Sequence, residues 1–187
     1  GYEYVVISDH TKSLGIAHGL DEGRLAEQRA VIERLNRRYS GFRILHGAEV
    51  EIKADGSLDF DDEVLAGLDV VVASLHSGLR QDARRITARA LSALANPHVD
   101  ILGHPSGRIL GQREASRLDL GRVITEAAAN GVALEINAHP ARLDLDDAFI
   151  YRAIRQGVKL AIDTDAHSIE ELENIPWGIT AAQRGWA

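Results

Sequence analysis

The side chains best suited to chemistry are imidazoles and carboxylates that recur just after short apolar runs. They are His10 in Ser8-Asp9-His10, Glu49, His76, His104, the pair Glu135 and Asn137, and finally Asp165 with His167. The runs that carry them span residues 4–7, 43–50, 70–74, 99–102, 132–136 and 159–162. Imidazole and carboxylate donors without thiolate suit Zn2+, Mn2+ or Fe2+. One glutamate can bridge two ions through its two oxygens, and paired ions clamp the in-line displacement of phosphoester hydrolysis. A single histidine beside a strand is usually a hydrogen-bonded structural residue. His10, Glu49, His76, His104, Asp165 and His167 in the same topological place point instead to a metal cluster.

The other candidates lack that placement. His46 falls within a run, His18 in a loop and His98 after Asn96-Pro97, so all three are expected to be structural. His139 lies near a run's end but precedes Pro140, and a structural role is expected for it too. Glu51 and Asp55, beside the turn at Asp55-Gly56, are expected to be solvated, and the acidic stretch 59–63 to cap a short helix. Lys12, Arg80 and Arg108 each follow a run by a few residues. On the same face as the cluster, they are candidate phosphate-holding cations.

These residues meet only if the elements bring the run ends to one place. Between the runs, residues 21–39, 83–94, 118–129 and 146–156 carry apolar side chains at helical spacing, as with Leu25, Ile32 and Leu35. Gly131 and Gly157 are the expected stops of the last two. Alternating strand and helix gives a parallel sheet covered by helices. An open sheet gathers ligands only at its switch point, so a polar group on every strand favours a closed α/β barrel.

No linker, repeat or low-complexity tract divides residues 1–187, and one domain is expected. The 45% hydrophobic and 26% charged composition is that of a folded chain. A net charge of −7, from 21 Lys+Arg against 28 Asp+Glu, leaves no basic footprint for nucleic acid. The absence of cysteine removes disulfides and thiolate sites. No apolar run approaches the ~20 residues of a membrane span and no leader opens the chain, so a cytoplasmic location without a membrane partner is expected. The chain begins almost inside an apolar run and contains no Met, which reads as a piece of a longer protein.

Five motifs, in order, carry a resemblance. Ser-Asp-His10, Gly-Ala-Glu49-Val, Ser-Leu-His76-Ser, Gly-His104-Pro and Asp-Thr-Asp165-Ala-His167 resemble the PHP (polymerase and histidinol phosphatase) superfamily. Thr11-Lys12-Ser13, the turn at 55–59, Gly107-Arg108-Ile109-Leu110-Gly111, Leu134-Glu135-Ile136-Asn137 and the closing Gln183-Arg184-Gly185-Trp186 narrow it. They are similar to the PHP domain of bacterial and archaeal family X DNA polymerases. The resemblance implies a distorted (β/α)7 barrel, of which six βα units are present, with two or three Zn2+ or Mn2+ ions. It implies that Glu49 bridges two metals and that His76 and His104 complete the second site. Asp165 would serve the first site, and His10 with His167 the third. The family's opening strand, with its His-x-His, is not in this sequence.

The implied activity is metal-dependent phosphoester hydrolysis, as 3′–5′ exonuclease or 3′-end processing in DNA repair, with metal-activated water and no separate catalytic residue. DNA 3′ ends would be reached through a polymerase region outside the chain. A free-standing phosphatase of a small phosphorylated metabolite is the second function, and a metal-stabilised structural domain of a polymerase the third. Without a preceding strand, residues 4–7 are expected to form an exposed edge. Trp177 and Trp186 are expected to pack within the barrel.

Overall fold

The computed structural model describes residues 2–187. Strands and helices alternate along the chain. β1 (Tyr4–His10) leads to α1 (Glu22–Arg38), β2 (Arg43–Glu51) to α2 (Asp62–Leu65) and β3 (Val70–Ser74) to α3 (Ala83–Leu94). β4 (Ile101–Leu102) leads to α4 (Leu120–Asn130), β5 (Ala133–Asn137) to α5 (Asp147–Arg155) and β6 (Leu160–Asp163) to α6 (Ile175–Arg184). Asp21, Asp82, Asp119 and Asp146 each accept a hydrogen bond from a first-turn N–H of α1, α3, α4 and α5. Those caps satisfy otherwise unpaired donors and fix where the helices start. α6 is not anticipated by the sequence pattern, because Pro176 and Gly178 both lower helix propensity. Gly178 has a packing reason: a Cβ there would lie 2.6 Å from Ile162 Cγ2 and 2.8 Å from Ala138 Cβ.

All pairings are parallel and the strand order is β1-β2-β3-β4-β5-β6. Were the sheet flat, five spacings of about 4.8 Å would hold its ends roughly 24 Å apart. Yet the His10 ring at the end of β1 lies 5.9 Å from the ring of His167, just past β6. The sheet is therefore curled into a half-barrel, six units of the (β/α)7 form. It is not closed: among the described residues β1 and β6 share no ladder, which corrects the expectation of closure. Tyr4 and Ile7 on the β1 edge are exposed. Trp177 and Trp186 also face solvent, at 55% and 82% exposure, against the expectation that they pack inside.

The core lies between sheet and helices. Ala48, Val50, Val71, Ala73, Leu102, Leu134 and Ile136 pack with Ile86 and Leu94 of α3, Val123 and Ile124 of α4 and Ile150 of α5. Side chains alternate along a strand. Ala48 and Val50 therefore enter this core, while Glu49 and Glu51 take the concave side. β1 and β2 outrun their apolar stretches, through His10 and Glu51, and the register sets His10 beside Glu49. No helix is long and apolar enough to cross a membrane.

Candidate metal centre

Glu49 is the middle of the site. His10 Nδ1 lies 3.0 Å from its Oε2, while His76 Nε2 and His104 Nε2 lie 3.1 and 2.9 Å from its Oε1. The His76 ring stands 5.0 Å from that of His10 and 5.1 Å from that of His104, edge to face in both cases. Of the three contacts, only that of His104 has hydrogen-bond geometry. His10 Nδ1 and His76 Nε2 are buried without a hydrogen-bond partner. A buried polar atom left unpaired costs free energy, so this arrangement needs another occupant. Donor atoms of His10, Glu49 and His76 all lie within 4.8 Å of one another. Imidazole nitrogens and a carboxylate at that spacing fit a divalent ion. Burial pushes the Glu49 carboxyl up, but the three imidazoles outweigh it and hold it well below the usual carboxylate range.

Glu51 orients one of these imidazoles. It is buried, not solvated as the sequence suggests. Its Oε2 lies 2.7 Å from His76 Nδ1 and accepts the His76 N–H at 3.1 Å, while its Oε1 accepts from Ser77 Oγ at 2.6 Å. A carboxylate on Nδ1 holds the proton there and leaves Nε2 to face the centre. Counting two residues on from Glu49 along β2 is the signal that finds Glu51. Behind it, the Arg89 guanidinium of α3 lies 3.9 Å from Glu51 Oε1 and is buried.

Burial lowers the His76 imidazole, yet Glu49 and Glu51 outweigh burial and raise it from 6.5 to about 9. A raised imidazole stabilises the fold fully below its unfolded value and ceases to do so as pH climbs through its folded one. In the presence of a chelator, the His76 contribution should therefore fade between pH 6.5 and about 9. Glu51→Gln should move that decline to lower pH. Thermal melts across the range, with His76 followed by proton NMR, check both statements.

The β5 and β6 side of the site is acidic. Glu135 of β5 is buried, and Asp163 closes the neighbouring strand β6. Burial first and the nearby Asp163 and Asp165 next push Glu135 well above the carboxylate range; burial raises Asp163 to about 6, opposed by Glu135 and helped by Asp165. Asp165 Oδ2 accepts from Asn137 Nδ2 at 3.0 Å and lies 3.1 Å from Arg142 Nε, which leaves Oδ1 the freer oxygen. His167 is exposed, and its Nδ1 lies 2.8 Å from the Asp165 carbonyl oxygen. The structure thus gathers His10, Glu49, His76 and His104 tightly, and brings Asp165 and His167 to the same mouth. Arg89, Arg142 and Asp163 are neighbours of these side chains that the strand-end pattern misses.

The three candidate cations are placed differently. Lys12 Nζ bonds to Glu22, and Arg80 is exposed. Arg108 is engaged: Nε donates to the Arg142 carbonyl at 3.0 Å, Nη2 donates to that of Leu143, and Nη1 faces Asp146 at 3.5 Å. Its guanidinium clamps the loop after β5 while its side chain stays partly exposed. Arg108→Ala is expected to cost about 1–3 kcal/mol through those freed acceptors. Amide exchange at residues 139–146 would rise with it, and an unaltered exchange pattern would refute the clamp. His46 is buried in β2, with its imidazole lowered by burial, and His18 is exposed in a left-handed conformation; neither joins the centre.

A curled parallel sheet with a histidine–carboxylate centre at the C-terminal ends of its strands defines an α/β barrel-type domain whose mouth fits a divalent ion. No protein-family model matches the chain. It is 47% identical over 186 residues to the DNA polymerase/3′-5′ exonuclease PolX of Bacillus subtilis (strain 168), covering all of this chain and 33% of that protein. It is 32% identical over 178 residues to a probable phosphatase of Thermoanaerobacter sp. (strain X514), covering 89% of this chain and 67% of that protein. A histidinol phosphate phosphatase of Lactococcus lactis, solved with zinc, L-histidinol and phosphate, shares the fold with a TM-score of 0.64. That match has 16% identity and covers 97% of this chain and 82% of that one. The chain belongs to the PHP superfamily. It spans a third of the length of the polymerase relative.

Proposed function

We propose that residues 1–187 form one phosphoesterase domain working with two or three divalent ions. The observation that carries the proposal is the Glu49 carboxylate, charged and surrounded by imidazoles from three strands or strand ends. His10, Glu49, His76, His104, Asp165 and His167 would hold the ions, with Glu49 shared between two. Bound divalent cations supply Lewis acidity at a phosphoryl oxygen and make water a stronger acid. The chain's own part is to hold donors ready. Glu51 keeps the His76 proton on Nδ1, and Asn137 with Arg142 occupies one oxygen of Asp165. Lys12, Arg80 and Arg108 are the cations proposed to meet a substrate phosphate, Lys12 by exchanging Glu22 for it and Arg108 by exchanging Asp146.

The finer reading is 3′-end processing of DNA in a polymerase context. Its support is the 47% identity to a polymerase/exonuclease across the whole chain, against 32% for the phosphatase relative. With a charge of −7, DNA would be held by regions outside these residues. A second reading, hydrolysis of a small phosphate ester, draws support from the phosphatase relative, two thirds of which this chain covers.

Elemental analysis of the purified chain comes first, followed by assays with Zn2+ or Mn2+ on a DNA oligonucleotide and on p-nitrophenyl phosphate. The expected result is two or more ions per chain and shortening of the oligonucleotide from its 3′ end. Turnover of the small ester alone would select the second reading. Bound ions without turnover of either substrate would leave a structural domain. A chain without bound ions would overturn the proposal.

A further inference from the structure

Two of the proposed ligands sit on backbone that residues with a side chain rarely adopt: φ is 23° at His104 and 48° at Asp165. Such conformations persist only where the surroundings over-determine them, and they cluster at functional sites. In both places the determinant is a carboxylate, and the two carboxylates stand on neighbouring strands. The His104 N–H donates to Glu135 Oε2, and the Asp165 N–H donates to Asp163 Oδ1 at 3.1 Å. Glu135 and Asp163 stand on the paired strands β5 and β6, with Asp163 in register with Asn137, two residues on from Glu135. Asn137 adds a third tie, its Nδ2 lying 3.4 Å from Glu135 Oε1 and 3.0 Å from Asp165 Oδ2.

An apolar pair here would avoid the desolvation of two acids, one of them the buried Glu135. It would also leave both strained N–H groups without an acceptor, because no other hydrogen bond is made by either among the described residues. We infer that Glu135 and Asp163 are positioning residues, carboxylates on neighbouring strands that each accept from a strained N–H, of His104 and of Asp165, and so fix the distance between ligands of separate strands. Neither residue is assigned contact with substrate. The inference rests on the metal-centre reading above.

Glu135→Ala and Glu135→Gln test it together. Glutamine keeps an acceptor for the His104 N–H and a group able to bond Asp163, whereas alanine removes both. Each variant and the wild-type chain are titrated with Co2+ by visible absorption, counted for bound ions, and assayed for kcat and KM. Alanine is expected to weaken Co2+ binding by about 10–100-fold, the effect of losing a group that orients metal ligands, and to alter the absorption band. It should lower kcat with little change in KM, and glutamine should restore both affinity and spectrum. Asp163→Ala probes the Asp165 end by the same readouts, should Glu135→Ala fail to fold. Wild-type Co2+ affinity and spectrum in a folded alanine variant would overturn the inference while leaving the metal centre intact. A wild-type chain that binds no Co2+ would overturn the metal centre and this inference with it.

Discussion

Glu49→Ala is expected to leave the chain without bound divalent metal and with phosphoester hydrolysis at the uncatalysed background. Three imidazoles converge on this side chain at 2.9–3.1 Å, so its removal takes away the one acidic donor they share. A ligand present at a thousand times its Kd adds about 4 kcal/mol to stability, and that increment disappears with binding. In a domain of 187 residues this corresponds to a melting temperature roughly 8–16 °C lower under metal-loaded conditions. With a chelator present the comparison changes sign of interest, not of effect: the variant still loses the contacts that raise His76, so a smaller drop should persist. Glu49→Gln keeps the volume and one acceptor but not the charge, and it should resemble alanine in metal content. Elemental analysis and calorimetry, each with and without Zn2+, measure all of this. Unchanged ion stoichiometry in Glu49→Ala would remove Glu49 from its bridging place.

The six proposed ligands are legible in the sequence because each is covalently close to the end of an apolar run, and parallel strands deliver run ends to one side. What escapes that pattern has a physical reason in each case. Glu51 is misread because β2 continues past Val50, and two-residue periodicity then turns Glu51 onto the face of Glu49. Asp163 closes β6, and its part shows only once Glu135 stands beside it on the neighbouring strand. Arg89 sits among exposed arginines such as Arg84 and Arg85 in the same helix, and only the packing of α3 against β2 tells it apart. Arg108 reads as a free cation because its acceptors lie 34 and 35 residues further along the chain. Barrel closure is a statement about β1 meeting β6, and no local signal reports whether two distant edges pair. Strand content and donor identity are local; orientation of the donors is not.

Arg89→Ala is expected to cost about 3–5 kcal/mol, the loss found when one partner of a buried charged pair is removed. The side chain is 3% exposed and its donors are spent. Nε bonds the Lys53 carbonyl at 2.9 Å, Nη1 the Ser77 carbonyl at 2.9 Å and Gln81 Oε1 at 3.0 Å, and Nη2 the Ile52 carbonyl. One guanidinium thus ties the end of β2 to the loop after β3, and it stands beside the buried Glu51 carboxylate. By the same size scaling, melting should fall by roughly 6–20 °C. Arg89→Lys should recover little, since a single ammonium cannot reach acceptors in both segments at once. Arg85→Ala, at the exposed Asp82 pair, should stay within about 0.5 kcal/mol of wild type. The chemical consequence runs through Glu51. Without Arg89, Glu51 keeps the His76 and Ser77 contacts that hold it low, but the Ser77 loop that Arg89 anchors is loosened, so its grip on His76 Nδ1 weakens and divalent-metal affinity should fall alongside stability. Glu51→Gln in the Arg89→Ala chain removes the stranded charge, so the double variant should melt above the sum of the two separate losses. Strict additivity would mean that Arg89 holds carbonyls alone, and that the Glu51–His76 arm of the site stands without it.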